Sequence, residues 1–185
     1  MPVRLTLYEA LTMTVTLGLR LADVVRVERV SGPTDVSVNL HVGPVELWLR
    51  RQPVEDKPCL FLVTIGGRSL CGAYAVRPVV CRIYPFKVIY DQQSIRVGFP
   101  VFCPTNWDVS ERHAAPMAEA MDLLALARRR SRELAAGWLS ARGGPGTLEE
   151  LEAWAAPRVA AWQGGRWNDP DHALRPPPSF AARLW

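Results

Sequence analysis

Lys57-Pro58-Cys59-Leu60-Phe61-Leu62, followed beyond Gly66-Gly67 by Cys71-Gly72-Ala73-Tyr74-Ala75-Val76-Arg77-Pro78-Val79-Val80-Cys81-Arg82-Ile83-Tyr84-Pro85-Phe86, is the stretch on which the reading of this chain turns. It holds three of the four cysteines, and the fourth, Cys103, stands before Pro104. Eleven residues separate Cys59 from Cys71, nine separate Cys71 from Cys81, and twenty-one separate Cys81 from Cys103. No pair has the C-x-x-C spacing of a zinc knuckle or a ferredoxin. Cys59 and Cys103 adjoin prolines and Cys71 follows a Gly-Gly turn, so each sits where a chain reverses and several thiols are set to converge. All four fall within 45 residues of a 185-residue chain. Such clustering fits metal or redox chemistry, or four buried and unligated thiols, better than a disulfide framework in a cytosolic chain.

Outward from that stretch, the chain reads as one compact domain with appendages. Hydrophobic residues make up 49% and charged residues 22%, which excludes a disordered or collagen-like chain. No run reaches the ~20 apolar residues of a membrane-spanning helix. Met1-Pro2-Val3-Arg4 lacks the features of a signal peptide, so a cytoplasmic protein is expected. The net charge of +4 comes with a bias to arginine, and its densest run is Arg128-Arg129-Arg130-Ser131-Arg132. Without a nucleic-acid-reading motif this run reads as a solvated helix face, and no nucleic-acid partner is expected.

The N-terminal residues 1–32 read as helical. Thr6-Leu7-Tyr8-Glu9 has capping-box spacing, and Leu7, Leu11 and Val15 recur at helical intervals up to Gly18. A short second helix is expected from Asp23 through Val24-Val25-Arg26-Val27. Residues 36–50 alternate as a hairpin turning at Gly43-Pro44, and 87–99 alternate as a second hairpin. Leu60-Phe61-Leu62-Val63 reads as a short strand ended by Gly66-Gly67. Met117, Met121, Leu124, Ser131, Leu134 and Trp138 mark a helix over 116–140. Thr147-Leu148-Glu149-Glu150 is a second capping box, opening a helix over 147–162 with a kink or stop near Pro157. The prolines at 170 and 176–178 make the remaining segment an extended tail.

The cysteine stretch resembles the cysteine-cluster family described as a zinc- or iron-chelating domain, the CxxCxxCC type. That family shows C-P-F-L, then C-x-x-Y-x-x-R-P-x-x-C-R-x-F/Y-P-F, then a further cysteine. Cys71, Tyr74, Arg77, Pro78, Cys81, Arg82, Tyr84, Pro85 and Phe86 fall on this pattern. Cys59 matches the leading cysteine, with the proline before it rather than after, and Cys103 matches the trailing one. The resemblance spans about residues 3–107. One departure stands out: family members usually carry an additional C-x-x-C-C group ahead of the helical stretch, so here that group is either lost or lies before a misplaced start.

The residue patterns and the resemblance, which stops near residue 107, together give an α+β fold. Its core would be small and irregular, made of β-hairpins and loops around a four-cysteine metal site, with N-terminal helices and a C-terminal helical extension. Residues 1–107 would form the metal-binding domain, 108–164 the helical extension and 165–185 the Pro-rich tail. Cys59, Cys71, Cys81 and Cys103 would be the ligands of a 4Fe–4S cluster or a Zn2+ ion. The irregular loop-borne spacing, the absence of an evident histidine ligand and the iron–sulfur association of related flagellin lysine methylases tilt the choice slightly to 4Fe–4S. Tyr74, Arg77, Arg82, Tyr84 and Phe86 would support the site, with Arg77 donating to carbonyls or a carboxylate and Tyr84 and Phe86 buried.

The expected function is a structural or partner-organising metal-binding protein. An iron–sulfur-dependent enzyme such as a methylase or maturation factor is one alternative, although no nucleotide or S-adenosylmethionine fingerprint is present. A subunit docked through its C-terminal part is another. Five of the seven tryptophans (Trp138, Trp154, Trp162, Trp167 and Trp185) lie there, offering a protein partner aromatic anchors, or packing on the domain itself.

Overall fold

The computed structural model describes residues 3–34, 36–52, 59–83, 87–90, 95–98 and 111–166, with the backbone alone considered over 87–90, 95–98, 111–116 and 164–166. The elements run β1 (Arg4–Leu5), α1 (Leu7–Leu17), α2 (Leu21–Val24), β2 (Val25–Arg29), β3 (Val38–Leu40) and β4 (Gly43–Leu49). There follow β5 (Leu62–Ile65), β6 (Arg68–Cys71), a 3-10 turn (Tyr74–Val76) and α3 (Val79–Arg82). The last elements are β7 (Lys87–Tyr90), β8 (Ile95–Gly98), α4 (Glu111–Arg142) and α5 (Leu148–Arg166). The fold is α+β, as expected.

The apolar core gathers around α1 and β4. All three strands that join β4 are antiparallel to it: Leu5 and Val27 both pair with Leu47, and Val38 pairs with Val45. Leu7, Leu11, Leu21, Val45 and Leu47 of this sheet-and-helix layer share one buried cluster with Leu134 and Trp138 of α4 and Leu151, Ala155 and Val159 of α5. The helices of the expected extension thus complete the hydrophobic core of the N-terminal part. The centre of the fold is this sheet with its helices, and the cysteine-bearing loops lie against its flank.

α1 begins as the capping box requires. The Thr6 hydroxyl accepts from the Glu9 amide, and Glu9 Oε2 accepts from the Thr6 amide at 2.9 Å. Gly18, in a left-handed conformation, ends the helix. Its next orphan donor, the Tyr8 amide, finds an acceptor in another helix: Ser131 Oγ of α4 at 2.9 Å. Ser131 is buried and donates in turn to the Ala127 carbonyl at 2.8 Å.

Several local expectations are corrected. Val25–Arg29 is strand β2 rather than helix, because each of its residues finds a partner on β4; a short β-branched run is ambiguous by periodicity alone. Only α2 is helical in this segment, and it starts at Leu21 ahead of Asp23. The first hairpin turns at His41-Val42, and Gly43 and Pro44 already belong to β4, opposite Leu40 and Asn39. The strand read over Leu60–Val63 begins at Leu62 and continues through Ile65. It then pairs with β6 across Gly66-Gly67, whose φ values of 57° and 77° suit a two-residue hairpin turn. The second hairpin is present as β7–β8.

α4 starts earlier than expected, at Glu111, and α5 continues through Pro157 without stopping. Leu151, Ala155 and Val159, all fully buried, form one stripe on both sides of that proline, so packing outweighs the lost hydrogen bond. The Trp138 and Trp154 rings meet at 5.9 Å, and Trp162 lies 6.1 Å from Tyr8. The stripes of the two long helices therefore do join each other and α1. The run Arg128–Arg132 is a solvated face only in part. Arg129 and Arg132 are exposed, but Arg130 stacks on Trp162 at 4.4 Å, pairs with Glu133 at 2.6 Å, and flanks the buried Ser131. The tail over 165–185, with Trp167 and Trp185, lies outside the described side chains.

Ser131→Ala is expected to strand the buried Tyr8 amide and lower unfolding free energy by about 1–3 kcal/mol. The exposed neighbour Arg129→Ala should stay within about 0.5 kcal/mol of wild type. Urea denaturation of both variants checks the contrast.

Candidate metal centre

The cysteine-bearing segment is fastened to the end of β4. The Leu60 amide donates to the Arg50 carbonyl at 3.1 Å, and the Gln52 side-chain amide donates to the Leu60 and Leu62 carbonyls at 3.2 and 2.7 Å. Cys59 opens a turn closed by the Leu62 amide on its own carbonyl at 3.2 Å. Leu62 then pairs with Cys71 across β5–β6, and the Gly72 amide donates to the Phe61 carbonyl at 2.7 Å. This register sets Cys59 and Cys71 on adjoining stretches of chain, both half-buried against the main core.

Cys81 arrives from the other direction, on the single turn of α3. Pro78 stands at the head of that turn, and the Cys81 amide donates to the Pro78 carbonyl at 2.9 Å. Val79 and Ile83, on either side of Cys81, are buried against Ala120 and Leu124 of α4. Glu9 of α1 accepts from the Val79 amide through Oε1 at 3.0 Å, while its other oxygen serves the capping box. Arg82 folds back on the preceding segment, donating to the Arg77 carbonyl at 2.8 Å and more loosely to the Ala75 carbonyl at 3.4 Å.

Cys59 and Cys71 both act on the titration of Cys81. Burial pushes the Cys81 thiol from 9.0 up to about 11. The Arg77 guanidinium opposes that rise, whereas the sulfurs of Cys59 and Cys71 and the carboxylate of Glu9 reinforce it. Cys81 therefore keeps its proton at neutral pH in the metal-free protein. That is unlike a nucleophilic or redox-sensing cysteine, which lies in a strongly electropositive, partly exposed setting. Burial also lowers the Arg82 pKa, against the pull of Glu9 and Glu119.

The supporting residues divide. The carbonyl-binding role expected of Arg77 is carried by Arg82, and Arg77 contributes its charge to Cys81. Tyr74 is 43% exposed, too open to wall off a site. Cys103, Tyr84 and Phe86 lie outside the described residues. Glu9 was read from the sequence only as a capping residue. Its second bond, to α3, joins positions 70 residues apart, and no spacing rule could signal it.

Thiols are suitable donors for zinc or iron. Among the described residues, however, no three Cys, His, Asp or Glu side chains are gathered closely enough to hold a metal ion. The described thiols are neighbours, not a finished ligand set. Of the histidines, His41 is exposed and its amide donates to the Gly146 carbonyl at 2.9 Å, away from the cysteines in sequence and in bonding.

Set against family models, curated proteins and solved structures, the chain matches none of them. No helix among the described residues is long and apolar enough to cross a membrane.

A thiol that holds its proton more tightly folded than unfolded contributes stability that is complete below the unfolded pKa. That contribution is lost as pH rises through the folded one. Metal-free protein should accordingly lose stability from pH 9.0 to about 11, and Cys81→Ala should lose less over the same window. Thermal melts across that range measure the difference; parallel losses would mean that water reaches the Cys81 thiol freely.

Proposed function

We propose that this chain is a metal-binding protein. Cys59, Cys71, Cys81 and Cys103 would hold a 4Fe–4S cluster or a zinc ion in a structural or partner-organising role. What supports this reading is the family-like cysteine pattern, together with the packing of Cys59 and Cys71 on one core and the influence of both on the titration of Cys81 on α3. An Arg side chain, Arg77, stands close enough to offset the charge that thiolates would bring. A bound metal would replace the protons that burial now holds, so loading releases protons and draws the sulfurs together.

The iron–sulfur form is slightly preferred. Zinc sites commonly use C-x-x-C knuckles, and the ligands here come from a turn, a strand end and a one-turn helix at long intervals. When bound, a cluster would supply either a rigid cross-link among these loops or an electron-transfer centre. This chain's own residues would hold it, with Gln52 fixing the Cys59 turn and Arg82 fixing the segment before Cys81.

Anaerobic purification with metal and sulfide analysis tests the reading. About four irons per chain with a broad shoulder near ~400 nm are expected for the cluster, and about one zinc in colourless protein for the alternative. Single Cys→Ser variants at 59, 71, 81 and 103 should each lose most of the metal. Full metal content in any one of them removes that cysteine from the set. Neither metal after anaerobic reconstitution would defeat the proposal.

A further inference from the structure

Glu9 is the point where the cysteine segment is tied by a polar side chain to the central helix. One carboxylate oxygen closes the capping box of α1, accepting from the Thr6 amide and the Thr6 hydroxyl, each at 2.9 Å. The other accepts from the Val79 amide at 3.0 Å, two residues before Cys81. The Val79 amide is a first-turn donor with no partner inside its own helix. α3 has only four residues, too short to hold itself together in water. Its position therefore rests on external contacts: the apolar seat of Val79 and Ile83 on α4, the return of Arg82 onto the Arg77 carbonyl, and Glu9. The 3-10 turn just ahead of α3 also packs Ala73 and Val76 on the main core. The Glu9 bond fixes its height against α1, because the capping box holds the carboxylate in one orientation.

We propose that Glu9 is a positioning residue for the cysteine site, fixing the one-turn helix that carries Cys81 against α1 and so setting where the Cys81 sulfur stands. The proposal rests on the metal-binding reading only where metal affinity is concerned. The placement of Cys81 can be tested without any metal.

Three full-length variants separate the two duties of Glu9. Glu9→Ala removes both. Glu9→Gln keeps the size and one carbonyl oxygen. Thr6→Ala removes the capping hydroxyl and its bond to Glu9, but keeps the Thr6 amide on Glu9 Oε2 and the Val79 amide on Oε1. In metal-free protein, iodoacetamide labelling is followed at each cysteine by peptide mass spectrometry, and amide exchange is followed over 79–83. Glu9→Ala should raise Cys81 labelling relative to Cys59, and exchange over 79–83, by about tenfold, the scale of losing a hydrogen bond to a charged group. Glu9→Gln should lie between Glu9→Ala and wild type, and Thr6→Ala should change the ratio by less than about twofold. If Glu9→Ala moves the ratio and the exchange no further than Thr6→Ala does, Glu9 only caps α1 and the proposal is overturned. Should Glu9→Ala fail to fold, Glu9→Gln decides: a profile identical to wild type overturns the proposal, and a rise at Cys81 alone supports it. Titration with cobalt chloride, read by thiolate-to-metal absorption, adds the metal arm, in which Glu9→Gln should bind more weakly than wild type. A wild-type protein that shows no such absorption defeats the zinc form of the metal-binding reading, while the labelling ratio still passes judgement on Glu9.

Discussion

The first turn of α1 sets the terms for the rest of the molecule. A helix start exposes amides that its own turns cannot satisfy, and this start is buried. Its partners come from three places: Thr6 just ahead of it, Glu9 within it, and Ser131 far along the chain on α4. Two of these partners also have a second task. Glu9 reaches α3, and Ser131 bonds the carbonyl of Ala127. Satisfying one helix terminus therefore fixes α1 relative to both the long C-terminal helix and the turn that carries Cys81. Moving α1 would break polar bonds in the interior, where they are hard to replace.

Two kinds of cohesion meet at that helix. On one side, β4 with its three antiparallel partners, α4 and α5 bury a continuous set of Leu, Val and Ala side chains, a dry core of the usual kind. On the other, the β5–β6 hairpin is a two-stranded ribbon with Val63 41% and Ile65 65% exposed. Such a ribbon is marginal alone. Its attachments are the Leu60 amide on the Arg50 carbonyl, the Gln52 side-chain amide on the Leu60 and Leu62 carbonyls, and the contacts of Cys59 and Cys71 on the core. A metal drawing three or four thiols together would add the cohesion that apolar burial does not provide there. Metal loading should thus be felt in the cysteine segment more than in the core.

What could be read from the sequence follows the range of the forces involved. The capping boxes at Thr6 and Thr147, the Gly18 stop and the apolar stripes of α4 and α5 are local patterns, and all are present in the structure. The segment Val25–Arg29 is strand because β4 lies beside it, information that no five-residue window contains. Pro157 reads as a helix breaker, yet Val159 beyond it is buried on the same stripe as Leu151. Ser131 falls on the apolar stripe of its helix, yet nothing local signals that its hydroxyl serves the start of another helix. At the site, the motif marks Cys59, Cys71 and Cys81, but among the described residues no three ligating side chains are gathered closely enough to hold a metal ion. The bond of Arg82 to the Arg77 carbonyl was not legible, since it depends on how the chain folds back between the 3-10 turn and α3.

The bond between Tyr8 and Ser131 joins residues 123 positions apart. During synthesis at roughly 5–20 residues per second, α1 emerges about 6–25 s before the hydroxyl that completes its first turn. Over that interval Leu7, Leu11 and Met13, destined for full burial, have neither α4 nor α5 to cover them. The N-terminal half therefore leaves the ribosome with part of its core surface still uncovered. It becomes self-sufficient only when the last long helices arrive.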